Sequence, residues 1–437
     1  MSIPLDRLYH YIESVAKNFY GDTIIYRFNP HGSKKIEDLS LLNCHRNYPI
    51  EKFFTIPQIY CYDQEPLDYE MYANVDINCL TYNTTLKECL SESNINLTGY
   101  NIRNAYGGPY NIHDQCVLLH SELNSKNLSI YEQNGFVGAY YWSHALIAQD
   151  WFRYAQWLHV PPKQSEKLFL IYNRAWDGTR EYRIKFLELL VQYNLVNEAK
   201  TNFNPVLDNN LNYQSYQYKN HTWKTKLELE QYFKPTTAQS SSSADFNESD
   251  YYDTDIEVVL ETLFDDDRIH LTEKSLRPIA LGHPFILCAT PGSLKYLQNY
   301  GFKTFNSVFN EDYDTIVNHK DRLVAIVKLM KSIANWSSNE KINKLNELQK
   351  ITKYNQTYFF SKKFSELIST ELTNNLKNAL IKVETTNTST KWLNLINRMC
   401  ENKKFQNHII DPNEQGILNQ RAIDYMYSKA LKFQNKY

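Results

Sequence analysis

A chain of 437 residues is long enough for two or three domains of ordinary size, and 42% hydrophobic content supports sizeable cores. The formal net charge of -2 gives no global basic field, which speaks against strong non-specific nucleic-acid binding while leaving room for a local basic groove. Seven cysteines (Cys44, Cys61, Cys79, Cys89, Cys116, Cys288, Cys400) without a C-x-x-C pair point to buried free thiols in a reducing compartment, not to a disulfide framework or zinc site. The N-terminus has no basic segment followed by an apolar run, and no stretch approaches a membrane span, so the expectation is a cytoplasmic, soluble protein. The 34 tyrosines suit a surface that stacks on sugars or bases, but AT-rich coding would leave the same bias.

In chain order, residues 5–20 carry apolar positions at helical period, and residues 23–28 read as a strand closed by Asn29-Pro30-His31-Gly32. A strand over 53–62 ends in Gln64-Glu65-Pro66, and a short buried strand over 117–120 runs into Ser121-Glu122. Residues 136–142 lead into Ser143-His144, and 145–158 are helical. Pro161-Pro162 marks the expected domain boundary. Beyond it come a strand over 167–172, a polar loop to Gly178 and a helix over 179–193, which is the βα unit of a doubly wound sheet. Residues 201–220 read as a long loop, and Ser240–Ser243 with the acidic run to Asp255 as a flexible insertion. Residues 256–263 are a strand or short helix, Asp265-Asp266-Asp267 a solvated acidic turn, and 284–288 a buried strand. Amphipathic patterns follow at 321–336 and 342–372, and the segment from Asn374 on is polar, helical in pattern and without identifiable chemistry.

Between the acidic turn and the last strand a helix opens at Thr272, whose hydroxyl can cap it. Glu273, Lys274 and Arg277 then stand in its first turns, where free N–H groups attract anions beside a strand's carboxyl end. An ordinary solvated helix start with a Glu273–Arg277 pair fits the same residues. Pro278 should kink or shorten this helix. No metal-ligand motif, serine-nucleophile elbow, P-loop or dinucleotide fingerprint is present, so neither a metal nor a resident cofactor is expected. What remains is a set of polar groups at strand ends. Arg174, Arg180 and Arg183 can grip a diphosphate, Glu261 and Glu273 can accept from ribose hydroxyls, and Glu65, Glu122 and His144 are candidate general bases. Two halves with the nucleotide grip in the second is the layout of a two-Rossmann-domain glycosyltransferase.

Thr272-Glu273-Lys274 with Arg277-Pro278-Ile279, Gly282 and Pro284-Phe285-Ile286 resembles the donor-site signature of the α1,3-fucosyltransferase-like family. Arg174 and the Arg180–Arg183 segment resemble that family's diphosphate-contacting loop and helix, and Glu65 its acidic residue near the acceptor. This likeness spans roughly residues 167–305, and the first half shows no clear acceptor motif of that family. The whole chain is also similar to uncharacterised phage-borne and bacterial glycosyltransferase-like proteins that share L-L-H-S-E-x-N-S at 118–125, Y-W-S-H-A at 141–145 and D-W-x-R-Y-A at 150–155. The resemblance implies an α/β, GT-B-like fold. Rossmann-like domains at 1–160 (acceptor) and 161–372 (donor) would face a central cleft, with a helical extension at 373–437. It implies an inverting transfer from a nucleoside-diphosphate sugar to a hydroxyl, on a glycan or a hydroxylated DNA base, without a divalent metal. A non-catalytic nucleotide- or glycan-binding protein with the same shell, or a structural phage component, are the competing expectations.

Overall fold

Short apolar runs bounded by polar turns form strands, and strands separated by helical crossovers pair in parallel. The computed structural model describes residues 12, 25–28, 58–62, 66–67, 116–133, 136–157, 165–207, 210–234 and 246–386. The chain forms two compact units, Met1–Ser143 with Ser369–Tyr437, and His144–Ile368. These divisions stand against 160/161 and 372/373 read from the sequence, and Pro161-Pro162 lies outside the described residues.

In the first unit, β1 (Ile25–Phe28), β2 (Gln58–Tyr62), β3 (Cys116–His120) and β4 (Val137–Tyr140) form one parallel sheet in the order β1-β2-β3-β4. Helix α1 (Lys126–Gln133) makes the crossover from β3 to β4. Val117, Leu118 and Leu119 are fully buried, as a strand covered on both faces requires. The register pairs Leu118 with Gly138 and His120 with Tyr140, so both strands end at the same level.

The second unit opens with α2 (Ser143–Trp151), whose first residue is the last of the first unit. It continues through β5 (Lys167–Ile171), α3 (Tyr182–Gln192), β6 (Ala199–Thr201), α4 (Glu248–Tyr252) and β7 (Thr254–Leu260). Helix α5 (Glu273–Leu281), β8 (Phe285–Cys288), α6 (Ser293–Asn299), α7 (His319–Ala334) and α8 (Ser338–Phe359) follow. The sheet is parallel in the order β6-β5-β7-β8. The chain moves from β5 to β6 on one side and returns to β7 on the other, so strand order reverses between β5 and β7. In open α/β sheets, ligands bind in the crevice that such a reversal opens at the carboxyl ends of the strands.

Helix α9 (Lys362–Thr386) divides by residue number between the units, and its later part is tied to the first. Asn375 Nδ2 donates to the Tyr140 carbonyl at 2.7 Å, and Glu371 Oε2 accepts from Trp142 N at 3.2 Å. The pattern over 342–372 therefore belongs to two helices that break at Phe360-Ser361. Three further differences have local causes. The acidic run ending at Asp255 is not all insertion: 246–255 holds α4 and the start of β7, because Tyr251 and Thr254 are buried. β6, a three-residue edge strand, leads into the segment 201–220, which packs Phe203, Tyr213 and Tyr218 into the core and is not simply a surface loop. In the acidic turn, Asp265 Oδ2 accepts from Trp223 Nε1 at 2.7 Å and Asp266 pairs with Arg268 at 2.6 Å. Among the described residues no helix is long and apolar enough to cross a membrane.

Candidate functional site

β7 is buried along its whole length and delivers Glu261 and Thr262 to the carboxyl edge of the second sheet. Glu261 is fully buried, and both carboxylate oxygens are taken up by the start of α5 and its approach. Oε1 accepts from Thr272 N at 3.0 Å, Ser275 N at 3.2 Å and Ser275 Oγ at 2.5 Å. Oε2 accepts from Thr272 Oγ1 at 2.8 Å and Thr262 N at 3.1 Å. Thr272 caps the helix as its residue type predicts, although weakly, at 3.4 Å to Lys274 N. The helix start is thus already answered by a carboxylate, and the two N–H groups that Glu261 holds are not open to an anion. Glu261, expected on a ribose, instead fixes α5 to β7.

Two residues further on, the side chains form a chain of polar contacts. Lys274 Nζ lies 3.0 Å from Thr272 Oγ1, 3.3 Å from Thr262 Oγ1 and 3.1 Å from Glu273 Oε1. The other carboxylate oxygen of Glu273 lies 3.2 Å from His144 Nδ1 near the start of α2. The His144 ring meets His270 edge-to-face at 5.4 Å. Glu273, His144 and His270 are 4%, 4% and 2% exposed, whereas the Lys274 side chain keeps 16%, so the ammonium is the member that reaches the solvent edge. At 3.2 Å the Glu273 carboxylate favours a protonated His144 ring by ion pairing. His144, read from sequence as a first-half base, belongs with the second-unit residue Glu273.

On the other side of the strand reversal, Asn173 follows β5. It is 2% exposed, and neither its Oδ1 nor its Nδ2 has a partner among the described residues. A buried carboxamide left unpaired costs about 1–3 kcal/mol, so its place beside the strand reversal is informative. The loop is held by Arg183, which donates to Ala175 O at 2.7 Å, Leu260 O at 2.6 Å and Glu261 O at 3.2 Å. Burial lowers the Arg183 pKa from the ordinary arginine value.

Of the basic residues expected at a diphosphate, Arg183 is therefore a backbone clamp. Arg277 is a buried ion-pair partner, with NH2 at 2.5 Å from Glu257 Oε1, Nε at 2.9 Å from Tyr251 Oη and its guanidinium over the Tyr172 ring at 4.6 Å. Burial works against its charge, yet Glu257 and Tyr251 outweigh that and leave its pKa above the ordinary value. Arg174 is exposed and Arg180 half-buried, in the segment that follows β5. Pro278 lies within α5, which runs on to Leu281 and stops at left-handed Gly282 (φ 64°). There Gln356 Nε2 donates to the Ala280 carbonyl at 2.9 Å.

No family model, curated protein or solved structure matches this chain.

Glu122 belongs to the first unit, just past β3, and its carboxylate is turned inward: Oε2 accepts from Leu67 N at 3.1 Å and Oε1 from Ser125 Oγ. Glu65 lies outside the described residues. Among the described residues no group of three or more His, Cys, Asp or Glu is placed to hold a metal ion. Asn173, Thr262 and His270 escaped the sequence reading as site residues. Asn173 opens a loop in which the arginines drew attention, and His270 lies two residues before Thr272 in irregular chain, so only their place at one sheet edge distinguishes them.

Proposed function

We propose that this protein is a nucleotide-sugar-dependent glycosyltransferase whose donor site lies at the strand reversal of the second unit. The observation that carries the reading is the His144–Glu273–Lys274 chain beyond the end of β7, in a sheet whose neighbouring strand β5 is followed by a buried Asn173 with no side-chain partner among the described residues. A ligand rich in hydroxyls and phosphates supplies the hydrogen bonds that Asn173 lacks and gives Lys274 an anion to meet. Thr262 and Thr272 hold the ammonium in place for that exchange.

In such a transfer the acceptor oxygen attacks the anomeric carbon as the bond to the diphosphate breaks. His144 Nε2 takes the hydroxyl proton, and Glu273 stabilises the imidazolium that results. Lys274, with Arg174 or Arg180 from the β5 loop, stabilises the departing diphosphate, and such electrostatic terms are commonly the largest in catalysis. The single displacement inverts the anomeric centre. A GT-B arrangement of the two units and a glycan or hydroxylated DNA base as acceptor are part of this proposal.

Thermal melting of the full chain with GDP, UDP, ADP, CDP and dTDP tests it: one of the five should raise the melting temperature, and the cognate sugar nucleotide should be consumed when a hydroxyl acceptor is added. No stabilisation by any of them would contradict the reading. One observation favours a second reading, a non-catalytic nucleotide- or glycan-binding protein: Arg183 and Arg277 are locked inside the fold. Stabilisation by a diphosphate without donor consumption, across glycan and hydroxymethylated-DNA acceptors, would select it.

A further inference from the structure

The first unit carries a cavity of about 430 Å³ at the carboxyl ends of β3 and β4, closed on one side by α9. Its floor is Gly138, paired with Leu118 across the sheet. A side-chain carbon at Gly138 would stand 3.4 Å from His120 Nε2, 3.2 Å from Glu132 Oε1 and 3.1 Å from Leu128 Cδ1. The absence of a side chain there keeps open the space between an imidazole and a carboxylate.

The hydrogen-bond chemistry fixes what that space presents. His120 Nδ1 lies 3.1 Å from the Glu122 carbonyl, which can only accept, so the proton is on Nδ1 and Nε2 is a lone-pair acceptor. Burial pushes the His120 pKa down to about 4, against the backbone bond, so the ring stays neutral near pH 7. Glu132 adds a second acceptor. From α9, Asn378 and Lys382 bring donors to the same cavity, and Asn375, whose Nδ2 is spent on Tyr140 O, brings a carbonyl oxygen. Phosphate would need donors throughout and an ammonium would need acceptors throughout. Mixed donors and acceptors around an apolar Leu128 suit hydroxyl groups, which do both, carried on a carbon skeleton.

We infer that this cavity binds a neutral polyhydroxyl ligand, a sugar unit, with a hydroxyl seated over Gly138 between His120 Nε2 and Glu132 Oε1. Binding there needs no donor nucleotide and no transfer, so it stands or falls apart from the proposed activity.

Saturation-transfer NMR on the full chain with glucose, galactose, N-acetylglucosamine and maltose, and with methylammonium, tests the inference, and phosphate is followed by 31P line broadening. At least one sugar should receive saturation, and methylammonium and phosphate should not respond. Gly138→Ala fills the floor and should weaken that sugar at least about tenfold, the scale of losing paired hydrogen bonds. Should that variant fold poorly, Glu132→Gln at an exposed helix position carries the same test, with a loss of about fivefold. Response from no sugar, sugar binding unchanged in a folded Gly138→Ala or Glu132→Gln protein, or binding of phosphate or methylammonium instead would each overturn it.

Discussion

The two sheets are built from the same parts and differ in strand order. In the first unit β1-β2-β3-β4 adds each strand on the same side, whereas in the second the order β6-β5-β7-β8 reverses beside β5. That reversal matters because crossovers on opposite sides leave the strand ends between them uncovered. The groups gathered there differ accordingly. The second unit places an ion-paired lysine, a histidine–carboxylate contact and an unpaired carboxamide at β5 and β7. The first unit presents a neutral imidazole, amides, the Glu132 carboxylate and the Lys382 ammonium in a cavity roofed by α9. Ion-paired groups gather at the reversal, and mixed donors and acceptors gather where strand order does not reverse.

The largest effect should come from a residue that is charged and yet, on this account, has no ligand role. Arg277→Met leaves Glu257 buried without its partner, and breaking a buried pair costs about 3–5 kcal/mol. Urea denaturation should show that loss. A fully stable variant that had lost diphosphate binding would instead return Arg277 to the ligand and erase its separation from Lys274.

Acid separates the units next. His120 has a folded pKa of about 4, below its unfolded value, so its contribution is intact above pH 6.5 and is lost as pH falls toward 4. Glu311 in the second unit runs the other way: burial pushes its carboxyl up to about 7, so stability is full below its unfolded pKa and is lost as pH rises through 7. Each amounts to at most about 3 kcal/mol. Denaturation midpoints across pH 4–8 should flatten on the acid side in His120→Asn and on the neutral side in Glu311→Gln. Unchanged slopes in both variants would remove this contrast.

A smaller loss, about 2 kcal/mol, is expected for Glu261→Gln, since an amide NH₂ then faces the N–H and hydroxyl donors at the start of α5. Hydrogen exchange at the Thr272 and Ser275 amides should accelerate. Protection equal to that of the parent would mean that Glu261 is not what anchors the helix.

Much of this was legible from sequence. The apolar runs at β3, β5 and β8 are short, buried and bounded by turns, and they lie where strands are expected, while 256–263, open between strand and short helix, falls largely in the strand β7. Thr272-Glu273-Lys274 does open a helix at a strand's carboxyl edge. Partners at long range were not legible. An arginine on a helix reads alike whether it meets a phosphate or a carbonyl, so the clamping role of Arg183 and the Glu257 pairing of Arg277 show only once the sheet is assembled. Asn375 meets Tyr140 far back along the chain, which is why a segment that looked chemically silent supplies a cavity wall. Tyr251 and Thr254 were lost in an acidic stretch because composition reports charge and not burial.

The central claim is that Lys274 and Asn173 face a nucleoside diphosphate at the strand reversal. Calorimetric titration of the parent, Lys274→Met and Asn173→Ala proteins with the stabilising diphosphate measures it directly. The account predicts binding to the parent, at least about tenfold weaker binding to Lys274→Met and a smaller loss for Asn173→Ala, with both variants folded. Equal affinity in all three proteins, or no binding to the parent, would contradict it.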